Sequence, residues 1–219
     1  MDFIKAFENH PEKESFYKAV FMNDTSEYAA KVRLEYYSEK FKKMGENVKI
    51  GVGVKIVNPE SIIIEDNVTI CDNVTIIARN ETDIIIGKNT VLNDRVYLDT
   101  ETNGGYIHIE NDVYIGTGTT LFGHKGLEIG DHVLMAQNIT LTPYSHIFND
   151  PNDNIINQGG HSKKVTIGRD VYIGMGVDVM YSGDIGEGSI IGAGSVVVKP
   201  IPPYSVAVGN PARVIKSRK

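Results

Sequence analysis

The sequence predicts a mainly β protein built as a parallel β-helix, with a small α-helical element at its N-terminus. Three observations predict it. An aliphatic residue recurs every six positions from about Ile64 almost to the C-terminus, Gly or Asn fills the turn positions between recurrences, and the departures from the period all fall at one phase of the repeat.

The unit is plain in Ile64-Glu-Asp-Asn-Val-Thr followed by Ile70-Cys-Asp-Asn-Val-Thr and Ile76, and later units begin at Ile86, Ile115, Ile129, Ile167, Ile173, Ile185 and Ile191. Each six-residue rung is a short strand plus a turn. Three rungs close a triangular coil whose edges pair with the coils above and below at about 4.7–4.9 Å. The aliphatic residue points inward, and the small residue two positions before it fits beside it. Gly and Asn occupy corners because a tight turn there asks for backbone angles that a β-carbon penalises. No coil buries its apolar face alone, so stacking supplies the core.

The first 45 residues break the rule. Ser26 to Met44 carries Tyr28, Val32 and Tyr36 on one stripe with Leu34, Tyr37 and Phe41 beside it, which is helical spacing; Asp24, Thr25 or Ser26 caps its start and Gly45 marks its stop. A shorter helix is expected within Glu12 to Met22. The expected division is a helical cap over 1–45, the β-helix over 46–200 with an extruded loop at about 148–165, and a tail over 201–219. The cap covers the open bottom coil or packs on a neighbouring subunit, since an uncapped end exposes strand edges and core. Recognition of substrate is the alternative.

Inward residues define coils starting at Ile64, Ile86, Ile109, Ile129, Ile167 and Ile185, each continuing six and twelve residues on. The extra residues follow Ile76, Leu98, Leu121 and Leu141, always between the third rung of one coil and the first of the next, so the interruptions leave from one corner. That corner stacks Arg79 and Asn80, Asp99 and Glu101, His124 and Lys125, then Tyr144, Ser145 and His146. Polar loops on a rigid frame are where chemistry is placed. Clustering because the other corners are covered in an oligomer is the alternative, and both can hold.

With 219 residues, 41% hydrophobic and 23% charged, the composition fits one ordered domain rather than a disordered or membrane-spanning chain. The N-terminal Met-Asp-Phe-Ile-Lys-Ala-Phe-Glu lacks the apolar core of a signal peptide, so a cytoplasmic setting is expected. Cys71, the single cysteine, permits no internal disulfide and reads as an ordinary rung residue. A net charge of −6 argues against general binding of nucleic acid or of anionic membrane.

The largest extrusion runs from Phe148 to Val165, with Asn149-Asp-Pro-Asn-Asp-Asn as turn chemistry and Gly159-Gly160 as a flexible end. Directly before it stands Thr142-Pro143-Tyr144-Ser145-His146. His146-Ile-Phe-Asn-Asp-Pro with Ile155-Ile-Asn-Gln158-Gly159, together with Ile191-Gly-Ala-Gly-Ser-Val, Ile201-Pro-Pro-Tyr and Gly209-Asn-Pro-Ala-Arg-Val-Ile-Lys, resembles the hexapeptide-repeat acyltransferase family, particularly its sugar O- and N-acetyltransferases. The likeness runs from about Ile64 to Arg213.

That resemblance implies a left-handed β-helix, an acetyl-CoA or other short acyl-CoA donor, and a homotrimer with active sites in clefts between subunits. It implies that His146 is the catalytic base. A neutral imidazole, titrating near ~6.5 when unperturbed, suits the removal of a proton from a sugar hydroxyl or amine. Many relatives carry a second histidine where this chain has Tyr144, and His124 in the coil below stands at the equivalent place. Tyr144, His124 and Asp94 are therefore acceptor-binding candidates, Asp94 from a different corner and, in a trimer, opposite His146 of the next subunit. A solvated turn aspartate is the plain alternative for Asp94. His10, His108, His132 and His161 receive no role. For the donor, the resemblance points to Gly176, Gly192 and Ala193 along the pantetheine arm and to Lys199 and Arg213 near the phosphates. Turn geometry alone is the other account of the glycines.

No pair of histidines has the close spacing of a zinc β-helix enzyme, and no metal site is assigned. A non-catalytic β-helix scaffold would leave the His146 loop and the tail without purpose. The resulting expectation is acyl transfer to the amino group of a nucleotide-linked amino sugar, in surface polysaccharide or glycoconjugate synthesis. The amine is preferred over a sugar hydroxyl because Asp94, Asp99 and Glu101 make the cleft edge acidic.

Overall fold

The computed structural model describes residues 15, 17, 20–79, 82–101 and 104–219. Helix α1 (Glu27–Ser38) opens on Ser26, whose hydroxyl accepts from the Ala29 N–H at 3.2 Å. The helix stops at Ser38, six residues before the expected end, because Lys43 and Met44 already form a strand. The expected helix within Glu12 to Met22 lies mostly outside the described residues; Ser15, Tyr17 and Val20 are helical.

Seven coils follow. The first holds β1 (Lys43–Met44), β2 (Lys49–Ile50) and β3 (Lys55–Val57); the second holds β4 (Ile62–Ile64), β5 (Thr69–Ile70) and β6 (Thr75–Ile77). The third holds β7 (Asp83–Ile86), β8 (Val91–Leu92) and β9 (Tyr97–Asp99), and the fourth β10 (Tyr106–Ile109), β11 (Tyr114–Ile115) and β12 (Thr120–Phe122). The fifth holds β13 (Leu127–Ile129), β14 (Leu134–Met135) and β15 (Thr140–Leu141). A hairpin, β16 (Tyr144–His146) and β17 (Gly160–Ser162), then leaves the stack. The sixth coil holds β18 (Val165–Ile167), β19 (Tyr172–Ile173) and β20 (Asp178–Val179). The seventh holds Ile185, β21 (Ile190–Ile191) and β22 (Val196–Val197), and the tail adds β23 (Ser205–Val208) and β24 (Arg213–Ser217).

These strands stack into three faces of six, nine and seven strands, the left-handed parallel β-helix that the repeat and the resemblance together lead one to expect. Register pairs each inward residue with its counterpart one coil on: Ile64 with Ile86, Ile109 with Ile129, Leu92 with Ile115, Leu98 with Leu121. The repeat begins one coil earlier than Ile64, since Met44, Ile50 and Ile56 pair with Ile64, Ile70 and Ile76. The inward aliphatics from Ile64 to Val179 are almost wholly buried, as are the small residues two positions before them, such as Val68, Val96 and Val177. Truncating one stacked isoleucine to alanine costs about 2–5 kcal/mol because neighbouring coils cannot collapse onto the gap.

Corners explain the Asn content. Asn47, Asn67 and Asn89 all have φ near 60°, and their amides form a ladder: Asn47 donates to Asn67 at 3.2 Å, Asn67 to Asn89 at 3.0 Å, and Asn89 to Asp112 at 2.8 Å. At the bottom, α1 closes the stack. Tyr37 Oη donates to the Val54 carbonyl at 3.1 Å and the buried Arg33 donates to the carbonyls of Phe21, Asp24 and Ile50. Among the described residues no helix is long and apolar enough to cross a membrane.

Candidate functional site

The corner between the third and first faces carries every described interruption: the 3-10 turn Pro59–Ser61, then residues 78, 79 and 82, residues 100, 101, 104 and 105, residues 123–126, and finally the β16–β17 hairpin. Coils rise past this corner in strict register, so side chains at equivalent places form a column.

The lower column is an ion pair. Asp99 is fully buried and accepts from Arg79 Nε at 2.9 Å, Arg79 Nη2 at 2.6 Å, Tyr97 Oη at 2.8 Å and the Glu101 N–H at 2.8 Å. Burial pushes its carboxyl upward, but the bonds from Arg79, Glu101 and Tyr97 outweigh it and hold Asp99 below the ordinary carboxylate range. Tyr97 is pushed up to about 12, first by burial and then by its bond to Asp99. The acidic cleft edge expected from sequence is therefore weaker than the count of carboxylates suggested, because Asp99 is already satisfied by Arg79. Asn80, named with Arg79 on this corner, lies outside the described residues.

Above Asp99 the column turns aromatic. Tyr97 meets Phe122 edge-on with centroids 6.1 Å apart, and Phe122 lies 6.0 Å from His124. His124 stacks on Tyr144 at 4.9 Å and 23°, and Tyr144 meets His146 edge-to-face at 5.0 Å and 88°. His124, one coil below, does stand beside Tyr144 as the coil arithmetic implied. Burial lowers its pKa against the pull of Glu101 and Asp99, which favours the neutral ring in the stack.

His146 is exposed at the loop end of the β16–β17 ladder, where it pairs with Gly160, while Ser145 pairs with His161 and, nearest the coils, Tyr144 with Ser162. The segment expected as an extruded loop with a flexible Gly159-Gly160 end is thus partly a two-stranded ribbon, and Gly160 is one of its strand residues. Its tip is tied internally: Gln158 Nε2 donates to the carbonyls of Asp150 and Asp153, each at 2.9 Å, and its Oε1 accepts from the Asp150 N–H at 3.1 Å. The returning limb is anchored to the first face. Lys164 Nζ donates to Glu128 Oε2 at 3.0 Å, Tyr106 Oη donates to Glu128 Oε1 at 2.9 Å, and Lys163 bonds Asp184 at 3.3 Å. Phe148, Ile155 and Ile156 stand exposed on the tip, Ile156 at 87%.

Asp94 lies at the corner between the second and third faces. Its Oδ1 accepts from the Asp72 N–H at 3.1 Å, just as Asp72 Oδ1 accepts from the Val52 N–H at 2.8 Å. It faces an open groove of about 650 Å³ between α1 and the lower coils, with Lys31, Lys49, Cys71 and Asp72 on the walls. Within one chain it is not brought to His146. Cys71 has its thiol pushed up by burial and then by Asp94 and Asp72, which leaves a poor nucleophile.

Gly176 and Ala193 are exposed at that same corner in the top coils. Gly176 has φ +63° and a β-carbon there would meet nothing, whereas one at Gly192 would press on Val208 Cγ1 at 2.7 Å. Turn conformation accounts for the first glycine and close packing of the tail for the second. The tail returns over this corner through Gly209 N–H to Ser195 Oγ at 3.0 Å and Ala212 N–H to the Val196 carbonyl at 2.8 Å, which brings exposed Arg213 with it. Lys199, also exposed, follows β22 and stands on the His146 corner instead. Sequence reasoning missed the pairing of His108 Nε2 with Asp83 Oδ2 at 2.9 Å and the sharing of Glu128 between Tyr106 and Lys164. The signal was the register of neighbouring coils on the outward positions. Among the described residues no group of three or more His, Cys, Asp and Glu side chains is arranged to hold a metal ion.

A family model described as the hexapeptide repeat of succinyl-transferase matches residues 43–78. Galactoside O-acetyltransferase of Escherichia coli (strain K12) is 38% identical over 133 residues, 60% of this chain and 62% of that protein. A probable acetyltransferase of Mycobacterium tuberculosis is 33% identical over 151 residues, 62% of this chain and 50% of its own. The matched segments thus span between half and about 62% of the length of these relatives. Among solved structures, a variant of AntD, an N-acyltransferase from Bacillus cereus, in complex with dTDP-4-amino-4,6-dideoxyglucose and coenzyme A, superposes with TM-score 0.61 at 25% identity, covering 85% of this chain and 89% of that one. The polySia-specific acetyltransferase NeuO superposes with TM-score 0.58 at 25% identity, covering 82% and 81%.

Proposed function

We propose, for a chain that belongs to the hexapeptide-repeat acyltransferase family, that it moves a short acyl group from acyl-CoA to a sugar with His146 as general base. The observation that carries this reading is the placement of His146: an exposed imidazole at the end of β16, where the internally tied loop of the hairpin begins, on the corner where the described insertions converge.

The chemistry follows from the geometry. His146 takes the proton of the acceptor group as that group attacks the thioester carbonyl, and returns it to the departing CoA thiolate as the tetrahedral intermediate collapses. The new acyl bond forms as the carbon–sulfur bond breaks. Positioned base catalysis of this kind contributes about 10²–10⁴ in rate. Donor binding is assigned to the top coils, where Gly176 and Ala193 stand exposed beside the tail-packed Gly192, Arg213 supplies a cation for phosphate at that corner, and Lys199 supplies another from the His146 corner. Coenzyme A in the AntD complex supports that donor. The donor also favours a cytoplasmic setting, and surface polysaccharide or glycoconjugate synthesis is the proposed context.

A homotrimer completes the proposal. The second face carries an outward apolar column in register, Val91, Tyr114, Leu134, Tyr172 and Ile190, with Tyr114 41%, Leu134 46% and Tyr172 41% exposed. Together with the apolar hairpin tip it is a surface suited to burial against second copies.

For the acceptor, a sugar hydroxyl is the reading favoured here. The relative at 38% identity is an O-acetyltransferase, and Asp99, counted on to attract an ammonium, is consumed by Arg79. The amine of a nucleotide-linked amino sugar is the second reading, favoured by the fold-wide likeness to AntD with its amino-sugar nucleotide. Product analysis separates them: an O-acyl ester is released by mild alkali and hydroxylamine, an amide is not. Alkali-stable product from a nucleotide-linked amino sugar, with none from plain sugars, would replace the hydroxyl reading by the amine one.

A further inference from the structure

We infer that Tyr144 is a positioning residue that sets the plane of the His146 imidazole, and that Gly160 is glycine to make room for the Tyr144 ring. This rests on the reading of His146 as the base. Tyr144 and His146 are two residues apart on β16, so they share one face of the ribbon. Their rings meet at 5.0 Å and 88°. Across the ribbon a β-carbon on Gly160 would collide with Oη and Cζ of Tyr144. Gly160 is not among the residues with positive φ, unlike its neighbour Gly159 at +74°, so the backbone there accepts any L-residue. What excludes a side chain at 160 is the tyrosine ring.

The other side of the ring is held as well. His124 stacks on it at 4.9 Å from a coil whose own position is fixed by register, and His124 is only 9% exposed. The ring of Tyr144 is thereby held between a frame residue and a backbone with no side chain. Among the described residues, no hydrogen bond to the His146 imidazole is seen, so the ring contact is the restraint that a single chain provides. A base displaced by about 1 Å loses on the order of 10²-fold in rate, which makes such a restraint consequential.

The test uses the full-length protein with acetyl-CoA and its best sugar acceptor, alongside proton NMR of ¹³C-labelled histidine, with the His146 signal assigned by His146→Gln. Tyr144→Ala is expected to lower kcat about 10- to 100-fold, with KM for acetyl-CoA unchanged, and to move the His146 ring signals. Tyr144→Phe, which keeps the ring, restores most of kcat and the signal position. Gly160→Ala reproduces the Tyr144→Ala loss, and in a Tyr144→Ala background it adds nothing. Unchanged His146 signals in Tyr144→Ala, or additive losses in the double variant, would overturn the inference. A fully active His146→Ala would instead remove the base reading, and the NMR comparison would still decide whether Tyr144 orients the ring.

Discussion

Arg79 holds the carboxylate of Asp99 through both Nε and Nη2, and does so from the coil below, so one ion pair staples two successive insertions at the functional corner. Asp99 has no exposed surface while the Arg79 side chain is 45% exposed. The pair therefore lies between the weak surface case and the fully buried one.

Arg79→Ala should destabilise the protein by about 2–3 kcal/mol, below the ~3–5 expected when a wholly buried pair is broken. The pH arm has a definite sign. Asp99 has a folded pKa depressed below its ordinary 3.8, so its contribution is present above that value and is lost as pH falls through the lower, folded one. Urea midpoints measured on both proteins from neutral pH into that acid window should converge as Asp99 protonates.

His124 titrates in the opposite environment. Burial depresses its pKa from 6.5, so stability is fully present above 6.5 and declines as pH falls from there toward the folded value, where the unfolded chain binds the proton first. His124→Phe keeps a ring against Tyr144 and removes the proton site. Its urea midpoint should change less than that of the unaltered protein between about pH 7.5 and about pH 5.

The hairpin limb is anchored by Glu128. Burial raises its pKa, but bonds from Lys164 and Tyr106 outweigh this and keep it below the usual value. Glu128→Gln weakens both bonds without changing size. Limited proteolysis within 148–158 should accelerate about 3- to 10-fold, an opening cost near 1 kcal/mol, while the midpoint of global unfolding barely moves.

Leu134 stands at the middle of the outward apolar column on the second face. Leu134→Glu should leave the β-helix folded, because the side chain points outward, yet, if the proposed trimer forms through this face, give monomers in sedimentation where the unaltered protein gives trimers, and abolish turnover. A monodisperse trimer in the variant would show that this face is not the contact.

Asp94 accepts from the Asp72 N–H through a carboxylate oxygen, a bond that an asparagine oxygen also accepts. Asp94→Asn should keep stability and acceptor KM within about twofold, with Asp94→Ala costing about 1 kcal/mol. A tenfold rise in acceptor KM for the asparagine variant would return Asp94 to the acceptor site across a subunit boundary.

Much of this molecule was legible from spacing alone. Ile64, Ile70 and Ile76 are six-residue landmarks that pair in register with Ile86, Leu92 and Leu98, and the same arithmetic placed His124 beneath Tyr144. The first coil was hidden because Ile64 follows Ile56 at a spacing of eight rather than six, with the turn Pro59–Ser61 between them. The ribbon was hidden because Tyr144-Ser145-His146 and Gly160-His161-Ser162 are short, polar and unlike strands in composition. The repeat placed Arg79 and Asp99 on one corner, but Asp99 read as an acid open to an ammonium because sharing a corner does not show that two side chains pair.

The most direct test is release of CoA thiol from acetyl-CoA by the purified protein, over a panel of plain sugars and nucleotide-linked amino sugars, with His146→Ala in parallel. Acyl transfer with His146 as base predicts acceptor-dependent release that falls about 10²–10⁴-fold in the variant. Equal release by both proteins, or a protein that neither turns over nor binds acetyl-CoA, would contradict it.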